Sequence, residues 1–241
     1  MRLGLLAWLF CCCCQVASAD LLRVGFGTHK PPYIFEGEPQ GLEYDLVMAA
    51  ATLGGLQVTP YYAPMERLHL MLVRGELDAI ATTSVKSGVP AFYSDAYVEY
   101  HNVAVALASR QLQITHIADM ARYSVSSFQR ARYLLGSEFQ VMAERNPQYR
   151  EEALQINRNR LLYSGRVDLI VCDVRIFKYF NASVADQVDV SQPLTYFKLF
   201  SSTPYSVGFR QSGPREQFNQ GLEALRASGD YQRIQQRYAE P

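Results

Sequence analysis

From Leu21 to Ala81 the chain alternates short apolar runs with stripes at helical spacing, and few folds accept that alternation. Leu21-Leu22-Arg23-Val24-Gly25-Phe26 reads as a buried strand, ended by Gly27 and Pro31-Pro32 because proline cannot donate to a ladder. Leu42, Leu46, Ala49, Ala50 and Leu53 then recur at helical spacing until Gly54-Gly55 stops them. Glu43 and Asp45 stand near the start of that helix, where its dipole favours negative charge. Gln57 to Tyr62 is a second strand. Met65, Leu68, Met71 and Leu72 form a second helical stripe closed by Gly75, and Leu77 to Ala81 is a third strand. Strand, helix, strand, helix, strand in so short a span predicts α/β organisation with parallel strands.

The pattern resumes further on. His101 to Ala108 reads as a long strand, and Tyr123 to Ser126 opens a new βα unit. Its helix carries Ala131, Leu134, Leu135, Phe139 and Met142. Leu154 to Ile156 reads as extended, a short helix ends at Gly165, and Val167 to Cys172 is a buried strand. Tyr205 to Phe209 is another strand, followed by a helix opened by Pro214 and a terminal helix over 230–238. No Pro/Gly/Ser-rich linker separates the two α/β parts, which favours lobes joined by strands crossing directly between them.

The first residues read as an export leader. Arg2 precedes an apolar run, Leu3 to Cys14, and Ala17-Ser18-Ala19 is a small-x-small cleavage pattern. That run is shorter than the roughly 20 residues that span a bilayer. Residues 1–19 are therefore expected to be removed, with Asp20 first in the mature protein. Cys11 to Cys14 leave with the leader, and the remaining Cys172 has no partner for an internal disulfide. Lys plus Arg and Asp plus Glu balance at 23 each, with no basic run, so nucleic acid is not an expected partner. His29, His69, His101 and His116 are scattered without metal-ligand spacing, and neither a metal nor another cofactor is expected.

Six motifs in register carry a resemblance. Leu22-Arg23-Val24-Gly25 with Pro31-Pro32-Tyr33, and then Gly41-Leu42-Glu43-Tyr44-Asp45-Leu46, resemble the start of the bacterial extracellular solute-binding proteins of family 3. Leu72 with Arg74-Gly75-Glu76-Leu77-Asp78-Ala79-Ile80 is similar to that family's L-x-x-G-x-x-D-x-I element, and Tyr93-Ser94-Asp95-Ala96-Tyr97 to its F-S-x-P-Y. Leu162 to Asp168 with Asp173 resembles L-x-x-G-R-V-D and a second aspartate. Ser228-Gly229-Asp230-Tyr231 through Ile234 to Tyr238 resembles the closing motif, with Tyr in place of Trp.

The resemblance implies a type II periplasmic-binding fold, two α/β lobes closing on a small polar ligand about a hinge of two crossing segments. Lobe 1 would comprise residues 20–108 plus 205–241, and lobe 2 residues 109–204. The crossings would lie near 106–109 and 199–205. It implies a monomeric periplasmic protein that delivers an amino acid or related solute to an ABC permease in the inner membrane. Ligand sensing for a separate chemoreceptor or kinase is the alternative. A cyclohexadienyl-dehydratase-like enzyme is a third reading, although no spacing forces an acid–base pair together.

The same resemblance points to site residues. Thr82 and Thr83 occupy hydroxyl positions that bond the ligand, and Tyr33 and Met65 occupy cleft positions. Lys30 takes a usual aromatic position. Ser126, Gln129 and Arg130 lie in the turn entering the second lobe's first helix. Asp173 would take a ligand ammonium, or else cap a helix over 174–180, and Asp168 is expected to be structural. The family's carboxylate-gripping arginine before the F-S element is missing. Lys86 could stand in as a point charge, without the bidentate geometry.

Overall fold

The computed structural model of the protein describes residues 21–239. The expected leader, residues 1–19 with the Cys11 to Cys14 run, lies outside the described residues. Among the described residues no helix is long and apolar enough to cross a membrane.

The alternation that opens the chain folds as its periodicities dictate: β1 (Leu21–Phe26), α1 (Leu42–Leu53), β2 (Gln57–Tyr62), α2 (Met65–Val73) and β3 (Ala79–Thr83). β1 pairs in parallel with β2 and with β3. Short strands β4 (Phe92–Tyr93) and β5 (Val98–Tyr100) follow, and the chain returns near its end as β11 (Thr203–Phe209). β11 runs antiparallel to β3, β4 and β5, completing the first sheet.

The second sheet repeats the scheme. β6 (Asn102–Leu107), β7 (Val125–Phe128), β8 (Tyr149–Glu152), β9 (Leu169–Asp173) and β10 (Leu194–Phe197) assemble in the order β10-β6-β9-β7-β8. β7 pairs in parallel with β8 and β9, while β6 runs antiparallel to β9 and β10. The sequence reading places Asn102 to Leu107 with the first part. Its ladder partners put it in the second, so the first passage between sheets falls at His101 rather than near 106–109. The return passage lies between Phe197 and Thr203.

Helices cover both sheets: α3 (Ala131–Leu134), α4 (Ser137–Arg145), α5 (Gln155–Tyr163), α6 (Val174–Val184), α7 (Ser212–Ala227) and α8 (Asp230–Arg237). The helix expected from Ala131 to Met142 is broken into α3 and α4 at Gly136, whose φ of 99° no helix accepts. Of residues 154–156, expected extended, Leu154 is extended and caps the helix, while Gln155 and Ile156 open α5. The strand there is β8, four residues earlier, and it is polar enough to lack an apolar run.

Packing in the first part turns on a close helix crossing. A methyl group on Gly221 of α7 would stand 1.9 Å from the carbonyl oxygen of Ala50 in α1, and one on Gly54 would stand 2.2 Å from the carbonyl oxygen of Gln217. Backbone meets backbone there, so Leu46, Ala50, Phe218 and Leu222 close into one core. Helix propensity alone would make Gly221→Ala stabilising by about 1 kcal/mol. The contact reverses that sign, and the substitution is expected to cost about 1–3 kcal/mol. Urea unfolding measures it, and a midpoint that stays or rises contradicts the close crossing.

Candidate functional site

The loop after β1 turns back on itself, with Lys30 N donating to the carbonyl of Ile34 and Tyr33 N to that of Lys30. This aims the Lys30 side chain inward, where only 4% of the residue is exposed. Its ammonium donates to Thr82 Oγ1 at 2.7 Å and to both oxygens of Glu43 at 3.2 Å. Glu43 is fully buried in the first turn of α1, where the helix dipole favours an anion. Thr82 and Tyr97 also donate to its Oε2, and Tyr100 donates to its Oε1. Burial lowers the Lys30 pKa more than the Glu43 charge raises it. Burial and the Glu43 charge together hold the Tyr97 and Tyr100 phenols well above their usual range, so both stay protonated donors.

Asp173, at the end of β9, is a helix cap. Its Oδ1 accepts from the N–H groups of Arg175 (2.9 Å) and Ile176 (3.2 Å) at the start of α6. Its Oδ2 accepts from His101 N (2.8 Å) and Tyr33 OH (3.2 Å). Burial raises the Asp173 pKa against these four donors. Of the two roles open to it in the sequence, the cap is the one its bonds form. Asp168 is structural as well, bonding Ser124 N at 3.0 Å and Ser124 Oγ at 2.7 Å.

Between the two sheets lies a cavity of about 40 Å3, lined among others by Lys30, Thr82, Asn102, Gln129, Arg158 and Asp173. Met65 and Phe128 add apolar wall. So Lys30, Met65, Thr82, Gln129 and Asp173, named from the sequence, do meet here. Thr83 lies behind the wall and faces His69. Tyr33 also stands behind it, on Asp173. Ser126 is buried with a hydroxyl that has no partner among the described residues. Lys86 is exposed on a turn, in a separate hollow beside Gly136 and Ser201, and does not replace the missing arginine.

Arg130 ties the parts together. Its guanidinium reaches Glu66 on α2 at 3.1 Å and the carbonyl of Ser87 at 2.5 Å, while Gln129 Oε1 accepts from Glu66 N at 3.3 Å. The sequence reading missed Arg158 and Asn102. Arg158 sits four residues before Leu162 on the buried face of α5. That spacing was the available signal, and reading 154–156 as extended hid it.

Two α/β units meeting over a polar cavity make a periplasmic-binding-protein fold, which solved structures share. The profile of the bacterial extracellular solute-binding proteins, family 3, matches residues 22–241, and the chain belongs to that family. An ancestral arginine-binding protein bound to arginine superposes with a TM-score of 0.74 at 22% identity, over 91% of this chain and 98% of that one. A histidine kinase sensor domain with similarity to periplasmic binding proteins gives 0.76 at 19% identity, over 92% and 99%. The arginine-, lysine-, histidine-binding protein ArtJ of Geobacillus stearothermophilus gives 0.73 at 17%, over 92% and 97%. No curated protein sequence matches the chain.

His69 under the cleft gives a pH signature. Its Nδ1 donates to the carbonyl of Met65 at 2.7 Å, which leaves Nε2 to accept from Thr83 at 3.0 Å. Burial lowers its pKa from 6.5 to about 4. The unfolded chain therefore binds more protons between these values, and stability is kept above pH 6.5 and lost as pH falls toward 4. About 2 kcal/mol should be lost between pH 7 and pH 5. Urea unfolding at both pH values should show that loss in the wild type and most of it absent in His69→Gln. Equal losses in the two proteins would contradict the neutral, buried imidazole.

Proposed function

We propose that this protein is a periplasmic, non-enzymatic binding protein that captures a small polar solute, an amino acid or a related compound, and delivers it to an ABC permease. The observation that carries the reading is the cavity between the sheets, walled by polar side chains from both. A solute there touches both parts only when they are together, so it shifts the balance between open and closed forms. The lobes we propose follow the sheets, residues 21–100 with 203–239 forming one and residues 102–197 the other, with the passages at His101 and before Thr203 as the hinge. Family membership and the leader pattern support export to the periplasm, with cleavage after Ala19.

Non-enzymatic binding is supported by the state of the carboxylates. Glu43 and Asp173 are already bonded on all sides by the chain, which leaves neither free to serve as an acid or base. Delivery to a separate sensor kinase is the second reading, favoured by the likeness of fold to a kinase sensor domain. ATP-driven uptake into vesicles holding the permease supports the importer role, and its failure alongside kinase stimulation supports the sensor.

The mature protein should be screened by thermal unfolding against amino acids, polyamines and small organic acids, with X-ray scattering on the hits. One chemical class should raise Tm, with a stabilisation of about 2.7 kcal/mol at 100 times Kd. The radius of gyration should fall. A Tm that no compound raises, with an unchanged scattering curve, contradicts solute binding.

A further inference from the structure

The polar groups around the cavity are unevenly satisfied, and the imbalance says what is missing. Two buried carboxylates border it, Asp173 in the wall and Glu43 behind Lys30. A carboxylate has about four lone-pair sites. Glu43 fills its own with Lys30, Thr82, Tyr97 and Tyr100, and Asp173 with the N–H groups of His101, Arg175 and Ile176 and the hydroxyl of Tyr33. An incoming ammonium group would find neither open without displacing the chain's own donors.

Arg158 is the opposite case. It is 1% exposed and lines the cavity, bonding only Gln155 through Nη2. Its Nε and Nη1 have no acceptor, and no ion pair to it exists among the described residues. Glu152 and Asp173 act on it from beyond contact distance, and a buried cation with no carboxylate in contact is costly, far more so than a buried amide or hydroxyl. Asn102 also lines the cavity; its Nδ2 donates to Thr203 Oγ1, and its Oδ1, a neutral acceptor, has no partner among the described residues. Arg158 therefore lacks a bonded anion, both carboxylates are already taken by the chain, and the one open acceptor, Asn102 Oδ1, is neutral and takes a hydroxyl as readily as an ammonium. The size of the cavity, about 40 Å3, suits a group of a few heavy atoms, such as a carboxylate on a short chain.

We propose that the solute is a small carboxylate held by Arg158 from α5, and that it needs no ammonium group. The proposal rests on the solute-binding reading and narrows it. The grip comes from the second unit, in place of the missing arginine before Tyr93. Lys30, from the chain itself, occupies the carboxylate at the base of the first unit.

Titration calorimetry of the mature protein with two matched sets tests this: propionate, L-lactate and L-alanine, and glutarate, 2-hydroxyglutarate and L-glutamate. Ethylamine, putrescine and inorganic phosphate complete the panel. In at least one set the acid without an amino group should bind within tenfold of its amino acid, and the amines at least 100-fold more weakly. Arg158→Met should weaken carboxylate binding at least 30-fold while raising the ligand-free Tm, because an unpaired buried charge is removed. In wild-type protein labelled with 15N, the Arg158 Nε–H resonance should move on addition of the bound acid, which needs no variant to fold. Loss of 100-fold or more on removing the amino group overturns the proposal, as does tighter binding of phosphate or an amine. An unmoved Nε–H resonance also overturns it. Silence from both sets while another solute class raises Tm overturns this proposal and leaves solute binding standing. Silence from every compound in both experiments overturns solute binding and this proposal with it.

Discussion

The ion pair between Lys30 and Glu43 is what the first unit is arranged around. Its side chains are 5% and 0% exposed, so both charges have left water almost entirely. Such a pair holds only when the remaining donors and acceptors are matched, because desolvation otherwise exceeds the attraction. Here the loop after β1 brings the ammonium, the first turn of α1 brings the carboxylate, β3 brings Thr82, and Tyr97 and Tyr100 arrive around β5. Four segments of the chain are thus fixed against one another around one buried ion pair. Thr82 adopts a φ of 56° to take part, a backbone form that a β-branched residue rarely accepts. Its hydroxyl, bonded to both charged groups, offsets that strain.

The organisation of the chain was legible because it rests on periodicity. Leu42 to Leu53 alternates at helical spacing, and α1 occupies those same residues. Gln57 to Tyr62 is likewise β2 without adjustment. Short or polar elements escaped. β4 has two residues, β5 has three, and β8 is Tyr-Arg-Glu-Glu, none of which carries an apolar run. The sheet to which β6 belongs was also invisible, because a strand buried along its whole length reads the same in either unit. Only its ladders to β9 and β10 decide it.

The site was legible as a neighbourhood rather than as a set of bonds. The sequence singles out Lys30, Thr82 and Asp173 for contact with a solute, and all three border the cavity. Yet each is bonded first to its own chain. Sequence shows residue types at positions, whereas satisfaction of a buried polar group depends on partners 13 to 140 residues away, as for Lys30 with Glu43 and Tyr33 with Asp173. Arg158 escaped for the converse reason. An arginine among Asn157, Asn159 and Arg160 looks like one more solvated side chain until the helix face that carries it is seen to be buried.

The base of the first unit is internally satisfied, with Lys30 and Glu43 stabilising one another. A double-mutant cycle with Lys30→Met and Glu43→Gln, followed by urea unfolding without ligand, tests it directly. Each single change should cost about 3–5 kcal/mol, because it strands a buried charge, and the double variant should cost at least about 2 kcal/mol less than the two together. Additive losses would mean that the two charges do not depend on each other, and the arrangement described here would be wrong.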